Sequence, residues 1–200
     1  PDKVVEKSFV PKDIEVSREI LHDDPSTNKV LRKIKSVDKN FLLDSFLDGS
    51  KKAFEYIIKN YSEENIKPLK KLLSSKMYSM FDNQISKRSK KGQNLDINII
   101  GVKDPEIVSA DIKNNKMAEI KVKFMSEQVQ IVKNSSGKIV EGDNNQILSI
   151  TENWLFYKTL NSKDPNWILD KIEECNWKKN YFLFFAFFFL IILFQIQSPS

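Results

Sequence analysis

Between residues 41 and 60, apolar side chains recur at helical spacing. Leu43, Phe46, Leu47, Phe54, Ile57 and Ile58 fall three, four or seven positions apart, which predicts an amphipathic helix with one core-directed face. The pair Gly49-Ser50 in its middle costs about 1 kcal/mol relative to alanine and is expected to mark a kink or a close helix contact. Asn65 precedes Ile66 and puts Pro68 in a first turn, so it is expected to cap a second, short helix. There Ile66, Leu69, Leu72 and Leu73 share the inner side, and Lys67, Lys70 and Lys71 point roughly opposite. Ser74 or Ser75 caps a third helix with Met77, Met80, Phe81 and Ile85 inward, which ends in Lys87-Arg88-Ser89-Lys90-Lys91 before Gly92.

After Gly92 the period changes from about 3.6 to 2. Leu95, Ile97 and Ile99 alternate with polar neighbours, and Ala118, Ile120, Val122 and Phe124 alternate against Glu119, Lys121 and Lys123. That pattern describes a sheet with one buried face. Asn114-Asn115 and Ser135-Ser136-Gly137 read as hairpin turns, and strands resume near Ile147 and run through Ile150, Trp154 and Phe156. After the Asp164-Pro165-Asn166 turn, residues 167–172 supply a last strand. Helices first and antiparallel strands second predict an α+β domain.

The flanks differ from this domain, which is placed at 41–175. Residues 1–40 mix charges of both signs with few aliphatics, so they read as a linker or tether that carries at most a short helix over 26–36. Residues 176–200 hold an unbroken apolar run over 181–194, half of it Phe. A spanning helix needs about 20 residues. Three readings stay open for this tail: a membrane-associating segment, a read-through artefact, or packing within the protein.

Composition removes several chemistries. Cys175 is the only cysteine, so an internal disulfide and a zinc site of several thiolates are both excluded. The only histidine, His22, lies in the charged flank, where it is a poor candidate for a catalytic base. Five scattered glycines form no phosphate loop, and Asp143-Asn144-Asn145 lacks the glycine and distal glutamate of a calcium loop. Neither metal nor cofactor is expected. Glu119, Glu127 and Glu152 fall on strands and keep an enzymatic alternative open as a carboxylate pair, although such residues usually pair with cross-strand lysines. Phe124, Trp154, Phe156 and Trp167 are either core or the lining of an apolar-ligand pocket.

Charge is unevenly placed along the chain. Between residues 62 and 93, eight bases (Lys67, Lys70, Lys71, Lys76, Lys87, Arg88, Lys90, Lys91) face three acids, a surplus equal to the whole net charge of +5. The surplus is a solvated helix face, an anionic-membrane site or a nucleic-acid site. Few aromatics interleave with these bases for stacking, so RNA is disfavoured and DNA is not expected.

Several phrases carry a family likeness. Phe46-Leu47-Asp48-Gly49-Ser50-Lys51-Lys52-Ala53-Phe54-Glu55, Leu69-Lys70-Lys71-Leu72-Leu73-Ser74 and Phe124-Met125-Ser126-Glu127-Gln128 resemble the Tim44-like domain family, the bacterial relatives of a mitochondrial inner-membrane import subunit. Residues 137–143, Trp154-Leu155-Phe156 and Ser162-Lys163-Asp164-Pro165-Asn166-Trp167 are still more similar, and together the likeness covers residues 40–172. The resemblance implies a cone of the nuclear-transport-factor-two-like kind, with N-terminal helices on a curved antiparallel sheet. It also implies a non-catalytic adaptor at the inner membrane, peripheral or anchored on the cytoplasmic or matrix-equivalent face. Such an adaptor binds cardiolipin-like anionic lipid and translocation components or a chaperone. Two alternatives accompany this expectation: a small-ligand-binding or enzymatic cone domain, and a ribosome-binding membrane receptor.

Overall fold

A computed structural model describes residues 23–174. His22, Cys175 and the apolar tail lie outside the described residues.

Among the described residues three α-helices precede six strands: α1 (Pro25–Val37), α2 (Leu43–Ser62), a 3-10 turn η1 (Lys67–Lys71), α3 (Ser75–Lys90), β1 (Gln93–Val102), β2 (Glu106–Lys113), β3 (Met117–Asn134), β4 (Ile139–Gly142), β5 (Leu148–Thr159) and β6 (Ile168–Glu174). The α+β class expected from the sequence is the one observed. All pairings between named strands are antiparallel, in the order β1-β3-β5-β6. The 18-residue β3 is the spine. On one edge it pairs with β2 and then β1, and on the other with β5 and then β4. Bulges at Ile99/Gly101, Ile107/Ser109, Val132/Lys133 and Leu155/Phe156 bend the strands. The curvature is strong enough that α3 touches both outer strands of that order, β1 and β6.

Alternation along β3 sets the two faces. Ala118, Ile120, Val122 and Phe124 are buried beneath the helices, while Glu119, Lys121 and Lys123 face outward, where Lys121 pairs with Glu173 and Lys123 with Glu106. Farther along, the inward positions turn polar. Ser126, Gln128 and Gln130 are buried, Gln130 Nε2 donates to Gln128 Oε1, and Gln128 Nε2 donates to Ser126 Oγ, each at 2.8 Å. Asn114 and Asn115 both adopt positive φ, as a tight β2–β3 turn requires.

Three expectations from the sequence are corrected by the fold. Residues 26–36 form the short helix expected there, within α1, but it belongs to the folded unit and not to a tether: it packs on β2 and buries Thr27, Leu31 and Ile34. Gly49 makes no close contact: a Cβ there would meet nothing within 4 Å, and α2 runs through it unbroken. Asn65 does not cap a helix: the N-cap position of η1 falls on Ile66, with no side-chain cap bond, and Asn65 Nδ2 donates back to Asn60 Oδ1 after Glu64, at φ 56°, turns the chain in the left-handed region. The expected second helix is only the five-residue η1.

Side chains fix the helices to the sheet. Ser62 Oγ accepts from the Ile97 N–H at 2.8 Å and donates to the Leu95 carbonyl at 3.2 Å, standing in for a neighbouring strand at the edge of β1. At the opposite edge, the Ser74 N–H donates to the Leu169 carbonyl and the Leu169 N–H to the Leu72 carbonyl, which seats η1 and the start of α3 on β6.

At the end of β4, Gly142 has φ +82°, and a Cβ there would stand 2.2 Å from the Gln130 carbonyl oxygen. Gly142→Ala is therefore expected to destabilise the fold by about 2–4 kcal/mol, from backbone strain plus overlap with β3. Urea unfolding should show a lower midpoint at unchanged slope.

Asp38 caps the C-terminus of α1, and Lys158 Nζ on β5 donates to it at 2.7 Å in a pair whose side chains are only 12% and 18% exposed. The hydrogen bond from Lys158 holds the Asp38 carboxyl below its ordinary range despite partial burial. Since the folded-state value is the depressed one, the pair's contribution is present above the unfolded carboxylate range, near pH 4, and is lost as pH falls through the folded value. Asp38→Asn should cost about 1–3 kcal/mol at neutral pH and flatten the acid limb of a stability–pH profile.

Candidate functional site: a basic surface on the helical layer

Lys67, Lys70 and Lys71 stand on η1, Lys76, Lys87, Arg88 and Lys90 on α3, and Lys91 at the C-cap of α3. The same segments bury Leu69, Leu73, Met77, Phe81 and Ile85. Helical spacing therefore separates an apolar underside from a basic outer side. Ser74 starts α3 by accepting the Met77 N–H at 3.2 Å. Lys87, Arg88 and Lys90 occupy its last turn, where cations also complement the helix dipole.

All seven lysines are exposed. Among the described residues the ion pairs fall elsewhere, as in Lys51–Asp104, Lys113–Asp111, Lys133–Asp96, Lys158–Asp38 and Lys171–Glu173. Lys67, Lys70, Lys71, Lys76, Lys87 and Lys90 have no carboxylate partner among those residues. Lys91 lies near Glu141, whose carboxyl is raised by burial while the Lys91 charge acts against that rise.

Arg88 leaves the expected basic surface. Its guanidinium lies 4.7 Å from the centre of the Tyr61 ring, and Nη1 donates at 2.7 Å to the Tyr61 hydroxyl, which donates in turn to Gln84 Oε1. Burial pushes the Tyr61 phenol above its ordinary value, and the Arg88 charge opposes that shift. The planar guanidinium suits both contacts, so Arg88 binds α3 to α2 instead of facing solvent.

The aromatic candidates come together, but as core. Phe124, Trp154 and Phe156 are at most 2% exposed, and Trp167 is partly buried. Phe54 of α2 stacks on Phe124 at 4.7 Å and contacts Trp154 at 4.8 Å, while Phe46 contacts Trp167 at 4.8 Å and Phe156 at 6.2 Å. The space that a pocket would need is filled by α2. The carboxylates are not brought together either. Glu119 and Glu127 lie on the outward side of β3, with Glu119 3.8 Å from Lys113, whereas Glu152 is buried on the inward side of β5.

Two surface features escaped sequence reasoning. Lys29, Arg32, Lys33 and Lys35 are exposed on α1, which contains no acid. Counting charge along the chain hid them, because the acids that balance them belong mostly to the preceding residues 1–24. The second is a cleft of about 480 Å³ on the face away from the helices, lined by Asp96, Asn98, Ile100, Val129, Ile131, Asn144, Asn145 and Ile147. No motif marks it. Among the described residues, no helix is long and apolar enough to cross a membrane.

Residues 27–174 match the family model of the Tim44-like domain. Among curated proteins, none matches the chain. Among solved structures, the intermembrane space region of the chloroplast protein ARC6 is similar at 13% identity and a TM-score of 0.40, over 62% of this chain and 94% of that one.

Proposed function

Because the chain belongs to the Tim44-like domain family, and so to the membrane-associated domains of protein translocation, we propose that it is a non-catalytic adaptor. It docks on anionic lipid of the inner membrane through Lys67, Lys70, Lys71, Lys76, Lys87, Lys90 and Lys91. The folded unit of this adaptor starts with α1, and the segment before it serves as a tether. The outward face of the sheet meets a translocation component or chaperone, since the aromatic cluster leaves that role to the surface.

The single observation that supports this reading is the set of six exposed lysines, Lys67, Lys70, Lys71, Lys76, Lys87 and Lys90, that have no carboxylate partner among the described residues. Each such charge contributes on the order of 1 kcal/mol at an anionic surface and much less at a neutral one. Their contribution falls off within about 10 Å at 0.1 M salt. Co-sedimentation with vesicles tests the reading. Binding is expected to vesicles containing cardiolipin or phosphatidylserine, to weaken steeply from 50 to 300 mM salt, and to be absent with neutral phosphatidylcholine. Equal, salt-insensitive binding to both vesicle types would remove the electrostatic docking.

A further inference from the structure

The carboxyl end of α3 lies within the basic surface and carries a hydroxyl. Ser89 is exposed in the run Lys87-Arg88-Ser89-Lys90-Lys91, with Lys87 two positions before it and Lys90 and Lys91 directly after. Its side chain makes no hydrogen bond with any described residue. Arg88 is turned onto Tyr61, so Lys87, Lys90 and Lys91 are the cations that surround the hydroxyl at the surface. Asp82, the only acid of α3, stands two turns earlier.

The backbone here differs from the body of the helix. The Lys91 N–H donates to the Arg88 carbonyl and the Gly92 N–H to the Ser89 carbonyl, each at 2.9 Å, so the helix closes on three-residue bonds of poorer geometry than those of an α-helix. Gly92 then turns the chain at φ +62°. Helix ends of this kind fray, and residues 89–91 can be drawn out by opening those two closures. Ser86 is also exposed but lies one turn inside α3.

We propose that Ser89 is a phosphorylation site for a serine/threonine kinase that selects basic segments, and that its modification releases the protein from anionic lipid. This inference rests on docking through the η1 and α3 lysines. In the transfer, Ser89 Oγ attacks the γ-phosphorus of a magnesium-bound nucleoside triphosphate and an Oγ–P bond forms. The bond from that phosphorus to the bridging oxygen breaks, the nucleoside diphosphate leaves, and the hydroxyl proton passes to a base of the kinase. The product carries about −1.5 to −2 charges near pH 7. Lys87, Lys90 and Lys91 are within two residues of it, inside the screening length of about 10 Å at 0.1 M salt, so about two of their three charges are offset. The phosphate also stands at the negative end of the α3 dipole, where the helix offers it no amide donors. One charge at an anionic surface changes affinity about fivefold, and two change it about twenty-five-fold.

Two readouts on the full chain test the proposal. Incubated with magnesium ATP and a serine/threonine kinase of basic-segment specificity, the protein is expected to take up phosphate at Ser89, mapped by peptide mass, at least tenfold faster than at Ser86. The phosphoprotein should then bind phosphatidylserine vesicles at least tenfold more weakly than the unmodified protein, with an unchanged thermal midpoint. Ser89→Glu should weaken binding at least threefold. Ser89→Gln, and Ser149→Glu, which puts the same charge on an exposed position of β5, should change it less than twofold. Phosphate at other positions in place of Ser89, or equal vesicle binding before and after modification, would overturn the inference. Absence of vesicle binding by the unmodified protein would instead remove the docking, and the release with it, while the phosphate map still decides the site.

Discussion

Phe54→Ala is expected to cost about 3–5 kcal/mol, the largest loss from any single truncation in the helical layer. The ring is fully buried, stacked on Phe124 with centroids 4.7 Å and planes 16° apart, and 4.8 Å from Trp154. Removing it takes away the transfer energy of the ring and opens a cavity lined by Phe124 and Trp154, which β3 and β5 hold in place. Against a total stability of roughly 5–15 kcal/mol, the midpoint of thermal unfolding should fall by about 10–15 °C. Tyr56→Ala is the comparison. That residue is on the same helix but 45% exposed, and its loss should change stability by only about 0.5 kcal/mol. Near-equal effects of the two would mean that the aromatic residues line an adjustable pocket instead of a packed core.

The second large effect concerns binding. Neutralising Lys67, Lys70 and Lys87 together should weaken association with anionic vesicles by about 3 kcal/mol, roughly a hundredfold, and leave stability nearly unchanged. All three are exposed, and none has a carboxylate partner among the described residues, so no intramolecular contact is lost with them. Arg88→Gln should behave oppositely. It removes the contact with Tyr61 and lowers stability, with a smaller effect on lipid binding.

Much of this fold was legible in the sequence, for reasons visible at particular residues. Alternation from Ala118 to Phe124 survives because β3 is paired on both edges and carries one face under the helices. Asn114-Asn115 could be read as a turn because asparagine tolerates the positive φ that both adopt. Legibility failed where tertiary contacts decide. Asn65 looks like a helix cap, but η1 starts one residue later, with Ile66 at its N-cap, and Asn65 turns back to Asn60. Residues 26–36 look too polar to fold alone, yet Leu31 and Ile34 suffice once β2 provides the opposing surface.

The candidate site divides the same way. A run of lysines over buried leucines can be read from spacing, so the basic surface was visible in outline. That Arg88 turns inward could not be read, since the Tyr61 ring it covers is 27 positions away in the chain. Nor does spacing separate a packed aromatic cluster from a pocket lining, because both require large apolar residues on neighbouring strands. The deciding residues, Phe46 and Phe54, come from α2. The charge of α1 was hidden for another reason, as the acids of residues 1–24 cancel it in a count along the chain.

Partition onto vesicles rich in anionic lipid, compared between two triple variants of equal net charge, addresses the docking claim most directly. One replaces Lys67, Lys70 and Lys87 with glutamine, and the other replaces Lys103, Lys116 and Lys163, which are exposed outside η1 and α3. The first should lose roughly a hundredfold in affinity and the second less than threefold. Equal losses would mean that net charge alone governs association, and that the lysines of η1 and α3 form no docking surface.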